Sequence, residues 1–278
     1  MNDRESTYPV LVLGGHGKTG RRVIKRLQGH GRQAIAASRS TVPSFDWNDS
    51  NTWSGVLKGV GSVYITYQPD LAVPGAVEAV SHFAERALAA GVRRLVLLSG
   101  RGEEEAQRAE QVLRDSGADW TIVRASWFAQ NFSENFLIDG VLAGQVALPA
   151  GAAKEPFVDA DDIADVVVEA LMDARHVGQL YEVTGPRLMS FADAVNEIGA
   201  ACSRDVRFVE VSADAYRALL QEHDLPDEFA RLIMYLFTTV LDGRNEHLND
   251  GVQRALGRVP KDFADYARDT AATGAWAA

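Results

Sequence analysis

Apolar segments and helical stretches alternate along the first two thirds of the chain. The apolar runs predict strands at residues 8–13, 33–37, 61–66, 92–99, 120–124, 156–158 and 180–183. Apolar residues spaced for one helix face predict helices over 74–90, 103–116 and 127–141, and one more that begins at Asp161. Such alternation is typical of a doubly wound α/β fold, in which helices cover both faces of a parallel sheet.

The pattern changes after residue 189. From Ser190 onward it is mostly helical, with one more strand predicted at 206–211, and no repeat or flexible linker separates the two parts. We therefore expect a nucleotide-binding α/β domain over residues 1–189. A smaller, mostly helical substrate lobe over residues 190–278 is expected to pack on it.

Composition and charge restrict the partners. With 46% apolar and 24% charged residues the chain is typical of a globular protein. The chain has 28 Lys and Arg residues and 38 Asp and Glu residues. The resulting net charge of −10 repels nucleic-acid phosphates. The basic residues Arg21, Arg22, Lys25 and Arg26 are expected to form a solvated helix face instead.

Neither export nor a membrane is expected. Residues 1–9 are polar and lack the positive start and apolar stretch of a signal peptide. The longest apolar stretch, 232–241, is about half a membrane span. Cys202 is the only cysteine and no histidine pair has metal-ligand spacing, so we expect a cytoplasmic protein without disulfide or metal site.

A glycine-rich turn follows the first predicted strand directly. Gly14, Gly17 and Gly20 stand where that strand gives way to the first helix. Glycine permits positive φ and a close backbone approach, while the helix N-terminus attracts anions. At the head of a β/α alternation, this predicts the pyrophosphate cradle of a Rossmann-type dinucleotide site.

The end of the second predicted strand indicates which dinucleotide binds. A carboxylate there would accept from the ribose 2′-hydroxyl of NAD and repel the 2′-phosphate of NADP. This chain has Ser38 and Arg39 at that point and no acid. Because a guanidinium suits phosphate, and Lys18 in the turn adds positive charge, we expect NADPH as cofactor, with NADH less favoured.

Further cofactor contacts are expected at the carboxyl ends of the strands. Asp46 and Trp47 are assigned to the adenine edge. Thr66, Tyr67 and Ser99 end two later strands, and the carboxyl ends of parallel strands face the ligand crevice.

Together these residues resemble the NmrA-like branch of the atypical short-chain dehydrogenases/reductases. The glycine turn, 91–99, Glu110 with 116–124, 127–132 and 156–164 are similar to that family's motifs, and 181–186 resembles its actinobacterial-type members. The branch includes NAD(P)H-dependent quinone, azo-dye and triphenylmethane-dye reductases and NAD(P)-sensing regulators. The resemblance implies cofactor contacts at Gly14, His16, Gly17, Lys18, Thr19, Gly20, Ser38, Arg39, Asp46, Trp47, Thr66, Tyr67, Ser99, Ser126, Trp127 and Phe128.

One departure bears on the chemistry. Ordinary short-chain dehydrogenases use a Tyr-x-x-x-Lys pair as general acid, and none of the seven tyrosines here has Lys four residues on. Losing that acid costs about 10²- to 10⁴-fold in rate, less when the acceptor delocalises its own charge. We therefore expect hydride transfer to a quinone, azo, enone or similar small acceptor. Tyr67 is the first candidate for a catalytic side chain, Asn131 the second, and Tyr235 a further lid contact.

Two other functions remain open. A non-catalytic NAD(P) sensor of the NmrA type would share every cofactor residue. The enzyme is favoured because Trp127, Phe128, Phe132 and Phe136 could line an apolar slot with the C-terminal helix. A nucleotide-sugar epimerase would require the missing Tyr and Lys. A small-molecule substrate is the expected partner, and a homodimer is left open.

Overall fold

The computed structural model describes residues 8–222 and 225–277. Residues 1–7, 223, 224 and 278 lie outside the described part. Residues 1–7 are most of the polar segment in which no signal peptide is expected. The chain forms two compact units. The first comprises Met1–Ala125, Ala160–Val183 and Asp250–Arg258; the second comprises Ser126–Asp159, Thr184–Asn249 and Val259–Ala278. The expected boundary after residue 189 falls inside the second unit, and that division stays a prediction.

Strands and helices are numbered here in chain order. The strands of the described residues are β1 Val10–Leu13, β2 Ala34–Ala37, β3 Ser62–Ile65, β4 Arg94–Gly100, β5 Asp119–Ala125, β6 Gln145–Leu148, β7 Lys154–Glu155, β8 Gln179–Val183, β9 Met189–Ser190 and β10 Arg207–Glu210. The α-helices are α1 Lys18–Gly29, α2 Trp53–Leu57, α3 Ala76–Ala89, α4 Glu104–Asp115, α5 Asn131–Glu134, α6 Ile138–Leu142, α7 Ala160–Met172, α8 Phe191–Cys202, α9 Ala213–Glu222, α10 Asp227–Tyr235, α11 Gly251–Leu256 and α12 Phe263–Ala272.

The first unit contains a six-stranded parallel sheet in the order β2-β1-β3-β4-β5-β8. Its strands are short and apolar, and every residue of β1 and β3 is buried, as expected when helices cover both faces. The helices pack in pairs, α1 with α7 and α3 with α4. The expected doubly wound α/β fold is confirmed. Because β1 has β2 on one side and β3 on the other, the strand order reverses at β1, where such sheets bind ligands.

The second unit has its own apolar core. Aromatic rings fill it, with centroids 5.0 Å apart for Phe157 and Phe191 and 5.8 Å for Phe132 and Phe263. The strand predicted at 206–211 is observed as β10, which pairs in parallel with β6. The apolar stretch 232–241 continues α10 into a π-helical turn, Leu236–Val240. Within the described residues, no helix combines the length and the apolar character needed to cross a membrane.

Two sequence predictions in this unit were wrong in detail. The helix predicted over 127–141 is two short helices, α5 and α6. Phe128 is held in an isolated β-bridge with Val158 before α5 begins, and the extended backbone of Asn135 ends α5 before α6 begins. The strand predicted at 156–158 lies two residues earlier, as β7, which pairs antiparallel with β9. In both cases a partner distant in sequence determines the local structure, which periodicity cannot reveal.

Candidate functional site

The turn between β1 and α1 brings backbone atoms closer together than side chains would allow. Gly14 has φ +62°, in the left-handed region that favours glycine. A Cβ on Gly20 would lie 2.3 Å from the carbonyl oxygen of Gly14, and one on Gly15 would lie 2.6 Å from Ala36 Cβ. The Gly17 amide donates to the Gly14 carbonyl at 2.8 Å, which closes the turn. These contacts exclude any larger residue at Gly15 and Gly20.

This turn fits a pyrophosphate. α1 is 12 residues long, its N-cap Gly17 offers no side-chain acceptor, and its first turn contains no acidic residue. Neither a side-chain cap nor an acidic residue competes with an anion at this helix start, and the helix dipole attracts one. His16, in the turn, is exposed. The Thr19 side chain is buried, and its hydroxyl accepts a hydrogen bond from Tyr64 Oη at 3.0 Å.

The end of β2 presents a guanidinium and hydroxyls without a carboxylate. The loop is held by the Thr41 hydroxyl, which donates to the Ser38 carbonyl at 2.9 Å, while the Ser38 amide donates back to Thr41 Oγ1. Ser38 and Ser40 Oγ lie 3.0 Å apart. Arg39 is exposed, and among the described residues it has no hydrogen-bond or ion-pair partner. An exposed guanidinium without a partner, next to serine hydroxyls, is suited to a phosphate monoester.

The basic cluster on α1 has a different environment from the one expected. Arg22 and Arg26 pair with Asp161 at 3.3 and 2.9 Å, and Arg26 also contacts Asp165. Neighbouring carboxylates raise the pKa of Arg26, although burial opposes them. Part of this predicted solvated face therefore joins α1 to α7.

Aromatic rings surround the residue assigned to adenine. The Trp47 indole N–H donates to the Thr66 carbonyl at 3.0 Å, and its ring lies 4.9 Å from Tyr67 and 5.4 Å from Phe83, centroid to centroid. Asp46 accepts from the Asn48 amide at 3.0 Å. Trp47 and Tyr67 were expected at this site from the sequence, whereas the supporting ring of Phe83, which lies on α3, was not.

Two predicted hydroxyl contacts already have partners in the protein. Thr66 Oγ1 donates to the Leu13 carbonyl at 2.9 Å, which ties the end of β3 to that of β1. Ser99 Oγ donates to Glu110 Oε1 at 2.7 Å, and both side chains are buried. Thr66 and Ser99 lie at the carboxyl edge of the sheet as expected, but their hydroxyls serve structural contacts.

Glu110 is the centre of a buried ionic network. Arg124 donates to its two carboxylate oxygens at 2.8 and 2.5 Å and also pairs with Glu182 at 3.4 Å. Arg101 donates to the other oxygen of Glu182 at 2.5 Å. The pKa of Arg124 is raised chiefly by its hydrogen bond to Glu110. The network fixes the ends of β4, β5 and β8 relative to one another.

The remaining predicted site residues belong to the second unit. Ser126 Oγ donates to the buried Glu155 carboxylate at 3.0 Å. Trp127 is half-buried, with its ring 5.0 Å from Phe237, and Phe128 and Asn131 are also half-buried. Tyr235 keeps partial exposure as well, on α10.

One residue expected to line an apolar slot does not. Phe132 is fully buried among Phe157, Phe191 and Phe263, and it is a core residue of the second unit. Trp127, Phe128 and Phe136 keep partial exposure and remain available to a ligand. No group of three or more His, Cys, Asp and Glu side chains suited to a metal occurs among the described residues.

A pair of carboxyl groups that was not expected from the sequence lies at the carboxyl edge of the sheet. Asp70 follows β3 and Glu103 follows β4, and the two side chains are hydrogen-bonded to each other. Burial, reinforced by the negative charge of Asp70, raises the pKa of Glu103 well above its ordinary value. Burial also raises the pKa of Asp70. An acidic residue within a few positions of each of two strand ends was the sequence signal that could have identified this pair.

Comparison with known proteins agrees with this geometry. The sequence profile of the NAD(P)H-binding family matches residues 14–174. Agroclavine dehydrogenase from Claviceps fusiformis is 30% identical, over 94% of this chain and 96% of its own length. The NAD(P)H azoreductase of Xenophilus azovorans is 27% identical, over 95% and 98%.

Solved structures share the fold. A triphenylmethane reductase from Citrobacter sp., complexed with NADP(H), superposes with a TM-score of 0.79 at 17% identity, over 95% of this chain and 100% of that one. NmrA, a negative transcriptional regulator solved with NAD, superposes with a TM-score of 0.73 at 14% identity, over 97% and 98%. Reductases and a regulator thus share this architecture.

Proposed function

Because the chain belongs to the NAD(P)H-binding family and has the NmrA-like reductase fold, we propose that it is an NADPH-dependent reductase of small conjugated acceptors. The bound cofactor would supply a hydride from its nicotinamide ring. The protein would bind and orient the two reactants, which alone can contribute a large part of the rate.

One observation carries the choice of NADPH. The end of β2 offers the unengaged Arg39 guanidinium between two serines, with no carboxylate to repel a 2′-phosphate. A charge-assisted hydrogen bond of roughly 1.5 to 3 kcal/mol corresponds to about a ten- to hundredfold preference over NADH. In this proposal the glycine turn holds the pyrophosphate through amides, and Lys18 contributes positive charge. Asp46 and Trp47 face the adenine.

Binding measurements test the cofactor choice. We expect NADPH to bind about ten- to hundredfold more tightly than NADH, and Arg39→Ala to remove most of that difference while NADH affinity changes little. Arg86→Ala is the matched control. Arg86 is exposed in the last turn of α3, at the amino ends of the parallel strands and away from the proposed cofactor contacts. Equal affinities in the unmutated protein would refute the role of Arg39.

The acceptor class is supported by the side chains and by the relatives. Trp127, Phe128 and Phe136 present partly exposed aromatic surface in the second unit, which suits a planar molecule. The azoreductase and dehydrogenase relatives match nearly the full chain. Tyr67 and Asn131 remain proposed contacts for the substrate. Turnover of NADPH with a quinone, an azo dye or an enone is the expected result, and turnover confined to a saturated ketone would contradict the acceptor class.

The sensor function predicts a different outcome from the same assay. A protein of that kind binds the dinucleotide through the same turn and consumes none of it. Full-length similarity to enzymes favours the reductase. NADPH binding without turnover across the acceptor panel would favour the sensor.

A further inference from the structure

Two carboxyl groups outside the proposed cofactor contacts lie beyond the ends of adjacent strands. Glu103 is only 7% exposed, and its Oε2 has no hydrogen-bond partner in the part of the chain that the structure describes. Its side chain lies over the end of β4, where a Cβ on Gly100 would be 2.2 Å from Glu103 Oε1. Glycine at this position therefore makes room for the carboxyl group. Asp70 keeps partial exposure and accepts from the Ala72 amide at 2.9 Å.

Charge around the pair favours retention of a proton. A buried carboxylate normally has a cation or several donors as partners. Glu103 instead faces Asp70, with Glu105 of α4 adding further negative charge. The neighbouring Arg101 is bonded to Glu182. Two carboxyl groups in contact cannot both ionise easily, so the surroundings favour one proton on the pair, and the pKa is raised further for Glu103 than for Asp70.

The position of the pair relates it to the reacting end of the proposed cofactor. Arg39 at the end of β2 and the turn after β1 mark the adenosine and pyrophosphate portions. In a doubly wound sheet the dinucleotide crosses the point where the strand order reverses. Its other half therefore extends over the ends of β3 and β4, the strands that Asp70 and Glu103 follow.

We propose that the Glu103–Asp70 pair supplies the proton that accompanies hydride transfer to a neutral acceptor, in place of the absent Tyr-x-x-x-Lys acid. This inference rests on the proposed function. The acceptor gains a hydride from NADPH, which is oxidised to NADP⁺, and the atom that becomes anionic takes the proton from Glu103. Glu103 is left as a carboxylate, and the partly exposed Asp70 connects it to solvent for reprotonation.

A comparison of a neutral acceptor with a cationic one distinguishes proton donation by Glu103 from a structural or binding role. A neutral azo dye needs a hydride and a proton. A cationic triarylmethyl dye becomes neutral on accepting hydride alone, so it needs no proton. Glu103→Gln keeps the shape and a donor toward Asp70 but cannot release a proton. We expect the ratio of kcat for the neutral dye to kcat for the cationic dye to fall by about 10²- to 10⁴-fold.

Two further variants make the ratio interpretable. Asp70→Asn should lower it in the same direction, because the path from solvent to Glu103 is interrupted. Glu104→Gln is the matched control, since it removes one carboxylate from the same helix start at an exposed side chain. That control should keep the ratio of the unmutated enzyme.

An optical measurement without turnover accompanies the kinetics. The infrared spectrum of the protein at neutral pH should contain the carbonyl band of a protonated carboxyl group. Glu103→Gln should remove this band and Glu104→Gln should retain it. The infrared spectrum needs no turnover, so it tests Glu103→Gln even when that variant is inactive.

The outcomes separate the inference from the proposed function. An unchanged ratio in Glu103→Gln, or a missing band in the unmutated protein, overturns the inference and leaves the reductase intact. A ratio that falls in Tyr67→Phe but not in Glu103→Gln gives the role to Tyr67 and overturns the inference too. No NADPH oxidation with either dye in the unmutated enzyme overturns both.

Discussion

At the scale of single residues, buried carboxyl groups play contrasting roles. Glu110 is 2% exposed and accepts hydrogen bonds from Arg124 and from the Ser99 hydroxyl. Glu103 is 7% exposed and faces another acid, which with burial raises its pKa. Both carboxyl groups are buried, and they differ in the charge of the partner: a cation favours the ionised form of a buried acid, and a second acid favours the protonated form.

The Glu110 network is expected to contribute strongly to stability. Glu110→Ala leaves the half-buried Arg124 guanidinium with Glu182 as its carboxylate partner and removes the acceptor of the buried Ser99 hydroxyl. We therefore expect a loss of about 1–3 kcal/mol in the free energy of unfolding. The control Glu104→Ala removes an exposed pair with Arg108 at 3.8 Å and should cost about 0–1 kcal/mol. Urea denaturation of both variants measures the difference. Equal losses would show that the network adds nothing beyond a surface ion pair.

His176 predicts a pH dependence of stability. It is buried, its Nδ1 lies 2.7 Å from Tyr181 Oη, and burial, with help from the charge of Arg175, lowers its pKa. The unfolded chain therefore binds a proton at a pH where the folded protein does not. Stability should be complete above the ordinary histidine pKa of about 6.5 and fall as pH decreases below it.

His176→Gln provides the comparison for this effect. Urea midpoints for it and the unmutated protein are compared between about pH 7.5 and 5.5, on either side of the ordinary histidine pKa. The variant should show the smaller decrease. Parallel curves would exclude His176 as the source of the slope.

At the scale of elements, the β1–α1 turn is the part of the site most completely specified by local sequence. Glycine spacing, the preceding apolar strand and the absence of an acid at the helix start are all read from neighbouring residues, and the structure contains the expected turn. The acidic pair could not be predicted in the same way. Asp70 and Glu103 are far apart in sequence, and their contact depends on the pairing of β3 with β4.

The local hydrophobic pattern also failed to predict part of the second unit. The spacing over 127–141 is that of one helix, but the bridge between Phe128 and Val158 changes the backbone before α5 begins. Phe132 was expected beside a ligand because it is aromatic and near Trp127, whereas its neighbours in space make it a core residue. Periodicity identifies apolar faces but not what covers them.

The close backbone contacts of the β1–α1 turn predict that one added methyl group lowers the affinity for NADPH. Gly20→Ala places a Cβ against the backbone of Gly14 and Gly15, which cannot move without opening the turn. We expect NADPH affinity to fall by at least about tenfold, which corresponds to roughly 1.4 kcal/mol. Gly29→Ala, on the same helix with nothing within 4 Å of its Cβ, is the control and should bind NADPH normally. Fluorescence titration measures both, and equal affinities would refute the cradle.

At the scale of the whole molecule, the fold is shared by reductases and a regulator, so architecture alone does not determine function. In the proposed function the glycine turn and Arg39 bind the cofactor, and aromatic residues of the second unit contact the acceptor. The Glu103–Asp70 pair is inferred to add a proton source. A sensor would need only the cofactor contacts, whereas the proposed reductase uses all three.

Turnover with both coenzymes tests the central claim most directly, since it requires binding, cofactor choice and chemistry together. The measurement is kcat/KM for NADPH and for NADH in the unmutated protein with a neutral quinone or azo acceptor. We predict reduction of the acceptor in step with NADPH oxidation and a preference for NADPH of about ten- to hundredfold. Bound NADPH that is never oxidised, or equal turnover with NADH, would contradict the account.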